Sequence, residues 1–204
     1  MLDNSVCRLI DPALERVAGS LAGAGVTADG LTIAGFAFGV AAAALLASQR
    51  YGLAALAILA SRACDGLDGA VARHTIGPTG TDRGGYLDIV LDFAFYGLVP
   101  LGFVLADPAA NGVAGAVLLT AFYSNGASFL AYALMAEKRG EAEGRGPKAF
   151  LYTVGLAEGT ETIAVFLAMC LLPGWFPVLA YAFAALTVVT TLARLAMAWT
   201  TFRD

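Results

Sequence analysis

Four aspartates stand at fixed offsets between Asp65 and Asp92, in a segment that reads D-G-L-D-G-A-V-A-R, then ten residues, then G-G-Y-L-D-I-V-L-D. Most of the remaining chain is apolar. A carboxylate at membrane depth costs about 3 kcal/mol or more unless a cation meets it. Because four of them occur together, the pattern predicts bound divalent metal and places the function of the chain in this segment.

The spacing puts these carboxylates on two facing surfaces. Asp65 and Asp68 are three residues apart and Asp88 and Asp92 are four apart, so each pair lies on one face of a helix. The two helices run antiparallel through a short connection, so the pairs can face each other around one pocket. Four oxygen ligands in that arrangement suit two Mg²⁺ or Mn²⁺ ions. Two ions beside a phosphate neutralise its oxygens and stabilise a leaving group, and one carboxylate is spared for proton removal.

Neighbouring residues favour phosphate chemistry. Gly66 and Gly69 remove side chains from the helix beside the predicted ligands, so a bulky substrate can approach its backbone. Arg73, about one turn further along, can clamp phosphate with its planar guanidinium group. Arg62 precedes Asp65 by three residues and either supports an aspartate or binds phosphate. One such pair of aspartates alone would equally fit a cation path or a buried ion pair.

Composition predicts the elements that position these residues. Of the 204 residues, 59% are hydrophobic and 14% are charged, and the mean hydropathy is +0.75. Soluble domains carry roughly 25% charged residues. Apolar stretches that approach or exceed the roughly 20 residues of a membrane-spanning helix lie at about 31–48, 51–73, 85–105, 109–136, 149–172 and 177–199. The predicted fold is all-α, a single polytopic membrane domain over 1–204 with six transmembrane helices in 29–204.

The first 28 residues are too polar for a cleavable signal peptide. Apolar residues recur there at helical spacing, which predicts an amphipathic interfacial helix within 1–28. A short helix that only packs on the bundle is the alternative. The net charge of −4 argues against nucleic-acid binding, and three cysteines at unrelated spacings indicate neither a disulfide framework nor a zinc site.

Lysine and arginine in the connections predict the orientation. With a cytoplasmic N-terminus, that side carries Arg8, Arg16, Arg73, Arg83, Lys138, Arg139, Arg145, Lys148 and Arg203, and the opposite side carries only Arg50. Both termini, and the cluster of aspartates, are therefore expected on the cytoplasmic side.

The segment resembles the signature of the CDP-alcohol phosphotransferase (CDP-alcohol phosphatidyltransferase) family, D-x2-D-G-x2-A-R, about eight residues, then G-x3-D-x3-D. It stands here as Asp65, Asp68, Gly69, Ala72, Arg73, Gly84, Asp88 and Asp92, with a spacer of ten residues. The stretch 27–32 is similar to the family's approach to its first span. The longer spacer falls in a Gly- and Pro-containing loop, so it puts loop contacts in doubt rather than the ligands. The whole chain resembles a bacterial inner-membrane branch of the family.

The resemblance implies phospholipid biosynthesis by direct displacement. Two Mg²⁺ (or Mn²⁺) ions held by Asp65, Asp68, Asp88 and Asp92 would bind the diphosphate of a CDP-linked lipid such as CDP-diacylglycerol. Asp92 would be the catalytic base that takes the proton from the acceptor hydroxyl, and CMP would leave. Residues expected to contact the nucleotide and its phosphates are Gly69, Arg73, Gly84 and Thr32. The family also implies a homodimer.

The acceptor alcohol is not fixed by the sequence. Lys148 and Arg139 are candidates for an acceptor with its own phosphate, such as glycerol 3-phosphate, although the orientation rule explains them equally well. Glu158 and Glu161 would suit the ammonium of an amino alcohol, or would pair with Arg62 or Arg194. A different class of function stays open, a divalent-cation carrier or a non-catalytic scaffold that uses the same carboxylates.

Overall fold

The computed structural model describes residues 14–77, 80–139 and 159–202, and all regular structure in these ranges is helical. Residues 14–23 form helix α1. The longer helices are α2 (Ala28–Ala47), α3 (Tyr51–Thr75), α4 (Asp82–Ala106), α5 (Pro108–Lys138), α6 (Gly159–Leu171) and α7 (Phe176–Thr201), with a 3₁₀ turn at Pro173–Trp175 before α7.

Four stretches are long and apolar enough to cross a membrane, Ala28–Ala47, Asp82–Ala106, Pro108–Lys138 and Pro173–Thr201. Helix α3 has 25 residues but carries the charged cluster in its second half, and 13 residues of α6 are described. The all-helical fold and a multi-pass membrane chain are therefore confirmed. Six spans are not established by these criteria.

Helix α2 packs against both α3 and α4, while α5 packs against α4 and α7. The α2–α4 contact is close because Gly102 lacks a side chain. A Cβ placed there would lie 2.8 Å from the Cβ of Leu46 and 2.9 Å from the carbonyl oxygen of Ala43. The three helices α2, α3 and α4 thus form the unit that holds the aspartates.

Several large aromatic rings pack together in the core of the described residues. Phe103 stacks on Phe176 with ring centroids 4.7 Å apart, and Phe95 meets Phe166 edge to face at 6.2 Å. All four rings are fully buried. Because rings of this size dominate packing energy, they fix α4 against α6 and α7 and hold the end of α4 that carries Asp92 in place.

Helix α1 packs on α3. Ala18 is fully buried against Ala70 and Val71 of α3, and Leu14 faces Gly66, where an added Cβ would lie 3.5 Å from the leucine side chain. Gly66 was expected to open the α3 backbone to substrate, but it faces α1. The remaining residues of the predicted interfacial helix, 1–13, lie outside the described residues.

Candidate active site

Two helices begin at the same place in the fold, and threonines cap both. The Oγ1 atom of Thr27 accepts a hydrogen bond from the amide of Gly30 at 3.2 Å, and that of Thr81 accepts one from Gly84 at 3.0 Å. These caps define the N-termini of α2 and α4. Because a helix N-terminus carries partial positive charge, their convergence favours an anionic ligand between them.

Helix α3 ends opposite these two N-termini. Gly77 and Gly80 have φ angles of +125° and +63°, a region that glycine enters without steric cost. The chain can therefore turn sharply after α3 and begin α4 at Asp82 within a few residues, which brings the two aspartate pairs of the sequence close together.

A cavity of about 230 Å³ opens among the three helices. Its lining includes Ala28, Asp29 and Thr32 of α2, Asp68, Gly69, Ala72 and Arg73 of α3, and Thr81, Gly84 and Asp88 at the start of α4. All four residues predicted to contact the nucleotide line it. A Cβ on Gly69 would meet only Nη1 of Arg73, at 3.6 Å, so the space beside Gly69 belongs to the cavity rather than to packing.

A second, smaller cavity of about 10 Å³ adjoins the first and is bordered by Asp65, Asp88, Asp92 and Arg62. Asp88 and Thr32 border both cavities. A volume near 10 Å³ is the space of about one water molecule, so the smaller cavity has the dimensions of a single ion rather than of an organic ligand. The four aspartates surround two adjoining cavities, not the one pocket that the sequence predicts.

The guanidinium group of Arg62 lies between two of the aspartates. Its Nη1 atom is 2.6 Å from Oδ1 of Asp92 and 3.4 Å from Oδ2 of Asp65. The guanidinium carbon stands 4.0 Å from the centroid of the Phe95 ring, a cation–π distance. Of the two roles expected for Arg62, the structure shows support of an aspartate. The arginine supplies the positive charge that two half-buried carboxylates require.

Asp68 is held by α2. The hydroxyl of Thr32 donates to Oδ2 of Asp68 at 2.6 Å, and Asp68 is 7% exposed, the most buried of the four aspartates. The same hydroxyl lies 3.1 Å from the carbonyl oxygen of Ala28. Thr32 was expected to contact the nucleotide, yet its direct partner here is an aspartate of the cluster.

The donor set fits Mg²⁺ or Mn²⁺ in chemistry, because carboxylate and hydroxyl oxygens are the ligands that these ions prefer. Within the described ranges, no three His, Cys, Asp or Glu side chains are arranged as a ready metal-binding group. In this arrangement the Nη1 atom of Arg62 lies 2.6 Å from Asp92 and 3.4 Å from Asp65.

Arg73, at the edge of the larger cavity, pairs with Glu15 of α1. Its Nη2 and Nε atoms donate to Oε1 of Glu15 at 2.7 and 3.2 Å. The hydrogen bond from Arg73, followed by the weaker contribution of His74, lowers the pKa of Glu15 below its usual value, so this carboxylate stays ionised at neutral pH. Sequence reasoning missed Glu15. Helical spacing could have indicated it, because Glu15 lies one turn before the apolar Ala18 on the face that packs on α3.

On the opposite rim, Arg83 donates to Oδ2 of Asp29, which ties the N-terminus of α4 to that of α2. A Cβ on Gly84 would lie 3.5 Å from Oδ1 of Asp29 and 3.1 Å from the hydroxyl of Thr81. The glycine therefore lets the two helix N-termini approach each other at the cavity.

The predicted acceptor residues either lie apart from these cavities or are not among the described residues. Arg139 is exposed at the end of α5, where it contacts the carbonyl oxygen of Thr201 at 3.4 Å and the ring of Phe202. Oε2 of Glu161, at the start of α6, is buried with no hydrogen-bond partner among the described residues. Lys148 and Glu158 lie outside the described residues.

A second intramembrane arginine has a different environment. Nη1 of Arg194 in α7 donates to Oδ1 of Asn125 at 3.0 Å and to Oγ of Ser128 at 2.8 Å, both on α5. An ion pair with Glu158 or Glu161 was one of the alternatives expected for it, and Glu158 lies outside the described residues. Glu161 is not within ion-pair distance of it, and the hydrogen-bond partners of Arg194 in the described part of the chain are neutral oxygens. Asn125 adjoins Gly126, against which the ring of Phe93 packs, so this cluster lies beside the segment with Asp92.

Comparison with known proteins agrees with this geometry. The family model of CDP-alcohol phosphatidyltransferase matches residues 25–193. Inner membrane protein YnjF of Escherichia coli K12 is 47% identical over 205 residues, 100% of this chain and 98% of that protein. Archaetidylinositol phosphate synthase of Methanothermobacter thermautotrophicus is 33% identical over 197 residues, 94% of this chain and 89% of that protein.

Two solved structures of Mycobacterium tuberculosis phosphatidylinositol phosphate synthase (PgsA1) have the same fold. The structure with CDP-DAG bound gives a TM-score of 0.70 at 26% identity and covers 92% of this chain and 94% of that one. The complex with manganese and citrate gives 0.71 at 26% identity, with 92% and 89% covered.

Proposed function

The chain belongs to the CDP-alcohol phosphatidyltransferase family, and from that premise we propose that it moves a phosphatidyl or similar phospho-lipid group from a CDP-linked lipid, such as CDP-diacylglycerol, to a small polar alcohol. The observation that carries the proposal is the convergence of Asp65, Asp68, Asp88 and Asp92 on two adjoining cavities between α2, α3 and α4. These are the family's signature positions, and the larger cavity has room for part of a nucleotide.

The donor nucleotide and its diphosphate bind in the larger cavity in this proposal. The N-termini of α2 and α4 and the guanidinium group of Arg73 provide positive charge around it. Gly69 and Gly84 keep the walls free of side chains, so the diphosphate can approach the backbone. A related protein was crystallised with CDP-DAG, which supports a donor of this class.

Asp65, Asp68, Asp88 and Asp92 would hold two Mg²⁺ or Mn²⁺ ions. When bound, such ions neutralise the diphosphate oxygens and stabilise the departing CMP. A relative's structure in complex with manganese supports this ion class. Before metal binds, the chain's own hydrogen bonds set the geometry of two of these aspartates, since Thr32 holds Asp68 and Arg62 holds Asp92.

In the reaction, the acceptor hydroxyl oxygen forms a bond to the lipid-linked phosphorus, and the bond from that phosphorus to the bridging oxygen breaks. The bridging oxygen leaves with CMP. Asp92 accepts the hydroxyl proton as general base. Two contacts support this role. Asp92 borders the smaller cavity, and the next residue, Phe93, packs against Gly126 of α5, which adjoins the Asn125 that binds Arg194.

The acceptor in this proposal is an alcohol that itself carries a phosphate, in the class of inositol phosphate or glycerol 3-phosphate. Arg194 supports it, because a half-buried guanidinium group with neutral partners retains its charge for an anion. A relative that is named archaetidylinositol phosphate synthase points to the same class. The carboxylate oxygen of Glu161 that has no partner among the described residues would instead suit the amino-alcohol class, and the acceptor panel separates the two classes.

We place the protein in the bacterial inner membrane with six spans, α2 to α7, α1 at the interface, and both termini and the active site on the cytoplasmic side. The relative at 47% identity is an inner membrane protein, and the distribution of Lys and Arg supports the orientation. Membrane lipids would contact the apolar helix faces, and the proposed assembly is a homodimer, as the family resemblance implies.

The test is an acceptor panel on purified protein with CDP-diacylglycerol, with CMP release as the readout and with Mg²⁺, Mn²⁺ or EDTA. Metal-dependent CMP release with inositol phosphate or glycerol 3-phosphate supports the proposal. The variant Arg194→Gln should then raise the KM for that acceptor about tenfold or more, because it loses a charge-assisted contact.

Reaction with serine or ethanolamine alone would overturn the acceptor class and favour Glu161 as its contact. Flux of Mn²⁺ into liposomes without CMP release would favour the divalent-cation carrier, a function that family membership does not favour.

A further inference from the structure

Glu15 of α1 contacts both basic residues at the end of α3. Its Oε1 atom accepts hydrogen bonds from Arg73, at 2.7 Å from Nη2 and 3.2 Å from Nε, and its Oε2 atom lies 2.8 Å from Nε2 of His74. One carboxylate therefore engages two neighbouring side chains, each with a different oxygen. The pattern ties the N-terminal helix to the rim of the larger cavity.

Packing fixes the position of this carboxylate. Ala18, one turn after Glu15, is fully buried against Ala70 and Val71 of α3. On the other side, Leu14 fills the space above Gly66. Because both neighbours of Glu15 along the face of α1 are seated on α3, its side chain is delivered to Arg73 by the docking of a helix rather than by a mobile tail.

The hydrogen bonds also orient the guanidinium group. Glu15 occupies the edge formed by Nε and Nη2, which leaves Nη1 for other ligands. Nη1 lies beside Gly69, 3.6 Å from the position of an added Cβ, and both residues line the larger cavity. The contact with Glu15 thus turns the remaining edge of Arg73 toward the space between α3 and the N-termini of α2 and α4.

We propose that Glu15 is a positioning residue for donor binding, which acts through Arg73 by holding its guanidinium group with Nη1 directed at the phosphates of the CDP-linked lipid. This inference rests on the proposed function, since it assigns the donor to the larger cavity. It makes α1 part of the donor site and not only an anchor.

The size of the effect follows from exposure. The side chains of Arg73 and Glu15 are 51% and 41% exposed, and pairs this accessible contribute little. An arginine released from its partner regains rotamer freedom that it must lose again when phosphate binds. Glu15→Gln should therefore raise the KM for CDP-diacylglycerol by about two- to fivefold, while removal of the phosphate contact itself in Arg73→Gln should raise it by about tenfold or more.

The experiment is a double-mutant cycle on the full-length protein with Glu15→Gln, Arg73→Gln and the double variant. The KM for the donor, the KM for the acceptor, kcat and the melting temperature are measured for each. Glu15→Gln is expected to change only the KM for the donor. Glu137→Gln, at an exposed glutamate near the end of α5, is the matched control and should match wild type.

The double variant decides the mechanism. If Glu15 acts through Arg73, Glu15→Gln has no further effect on donor KM in the Arg73→Gln background. Additive effects in the double variant, an unchanged or lower donor KM in Glu15→Gln, or equal increases in donor and acceptor KM would each overturn the proposal. A melting temperature lowered along with kcat would likewise overturn it, because that result marks a merely structural role.

A failure of this inference differs from a failure of the proposed function. If wild-type protein releases no CMP with any acceptor, the transferase proposal fails. If wild-type protein is active and the cycle gives the contradicting pattern, only the role of Glu15 fails. Titration of CDP into each variant in the presence of Mn²⁺ measures binding without turnover. The ratios of the dissociation constants between variants should match the ratios of their donor KM values.

Discussion

Replacing Arg62 by methionine tests whether an arginine compensates the aspartates before metal enters. Methionine keeps an unbranched apolar stem beside Phe95 but removes the cation that lies 2.6 Å from Asp92 and 3.4 Å from Asp65. Three carboxylates, of Asp65, Asp88 and Asp92, would then border the smaller cavity without the counter-charge of Arg62. The metal-free protein should be destabilised, and bound metal should restore much of the loss.

The magnitude follows from the environment of the pair. Exposed ion pairs contribute at most about 1 kcal/mol, and breaking a fully buried pair costs about 3–5 kcal/mol. Arg62 and Asp92 are 17% and 29% exposed, which places the loss near 2–3 kcal/mol, a value also typical of hydrogen bonds to charged groups. For a chain of this size, 1 kcal/mol shifts the melting temperature by about 2–4 °C, so a fall of about 5–10 °C is expected in EDTA.

The assay is thermal unfolding of detergent-purified protein in EDTA and across a Mn²⁺ titration. Mn²⁺ should raise the melting temperature of Arg62→Met more than that of wild type, because no guanidinium group must be displaced and the metal alone supplies the charge. Arg50→Met, at an exposed arginine before α3, controls for the substitution itself. The reasoning is refuted if Arg62→Met and wild type have the same melting temperature in EDTA, or if Mn²⁺ raises both melting temperatures equally.

Three further outcomes are expected. Asp92→Asn should lower kcat by at least about 100-fold, the typical contribution of a general base, with CDP-diacylglycerol binding retained; wild-type turnover in this variant would exclude Asp92 as the base. Isothermal titration should show CDP binding with Mn²⁺ and little in EDTA, whereas equal affinities would show that charge compensation needs no metal. Gly102→Ala should cost about 1–3 kcal/mol of stability, because its Cβ would lie 2.8–2.9 Å from atoms of α2; Gly112→Ala, with open space around it, is the control, and equal melting temperatures would contradict the close α2–α4 contact.

The helices could be predicted from the sequence because long apolar runs leave the backbone no other way to satisfy its hydrogen bonds in a bilayer. The meeting of Asp65 and Asp68 with Asp88 and Asp92 was predictable too. Their helices are consecutive and the connection 76–81 is short, so antiparallel neighbours follow from chain length alone.

Other contacts depended on which face each helix turns inward, and there the sequence has little signal. Helices α2, α4 and α5 are apolar on nearly all sides, so no polar stripe sets their rotation. Sequence reasoning placed Gly66 at the substrate, when it faces α1, and it did not predict the contacts of Arg194 with Asn125 and Ser128. These contacts join helices far apart in sequence.

The charges around the two cavities predict that donor binding depends on metal binding. Around the two cavities and their rims, the described residues include six carboxylates, of Glu15, Asp29, Asp65, Asp68, Asp88 and Asp92, and three guanidinium groups, of Arg62, Arg73 and Arg83. Each guanidinium group is already paired with a carboxylate. A diphosphate adds further negative charge to this excess, and at partial burial such charges repel strongly. Because the arginines alone cannot compensate it, we expect that the larger cavity accepts the diphosphate of a CDP-linked lipid only when divalent cations are bound at the aspartates.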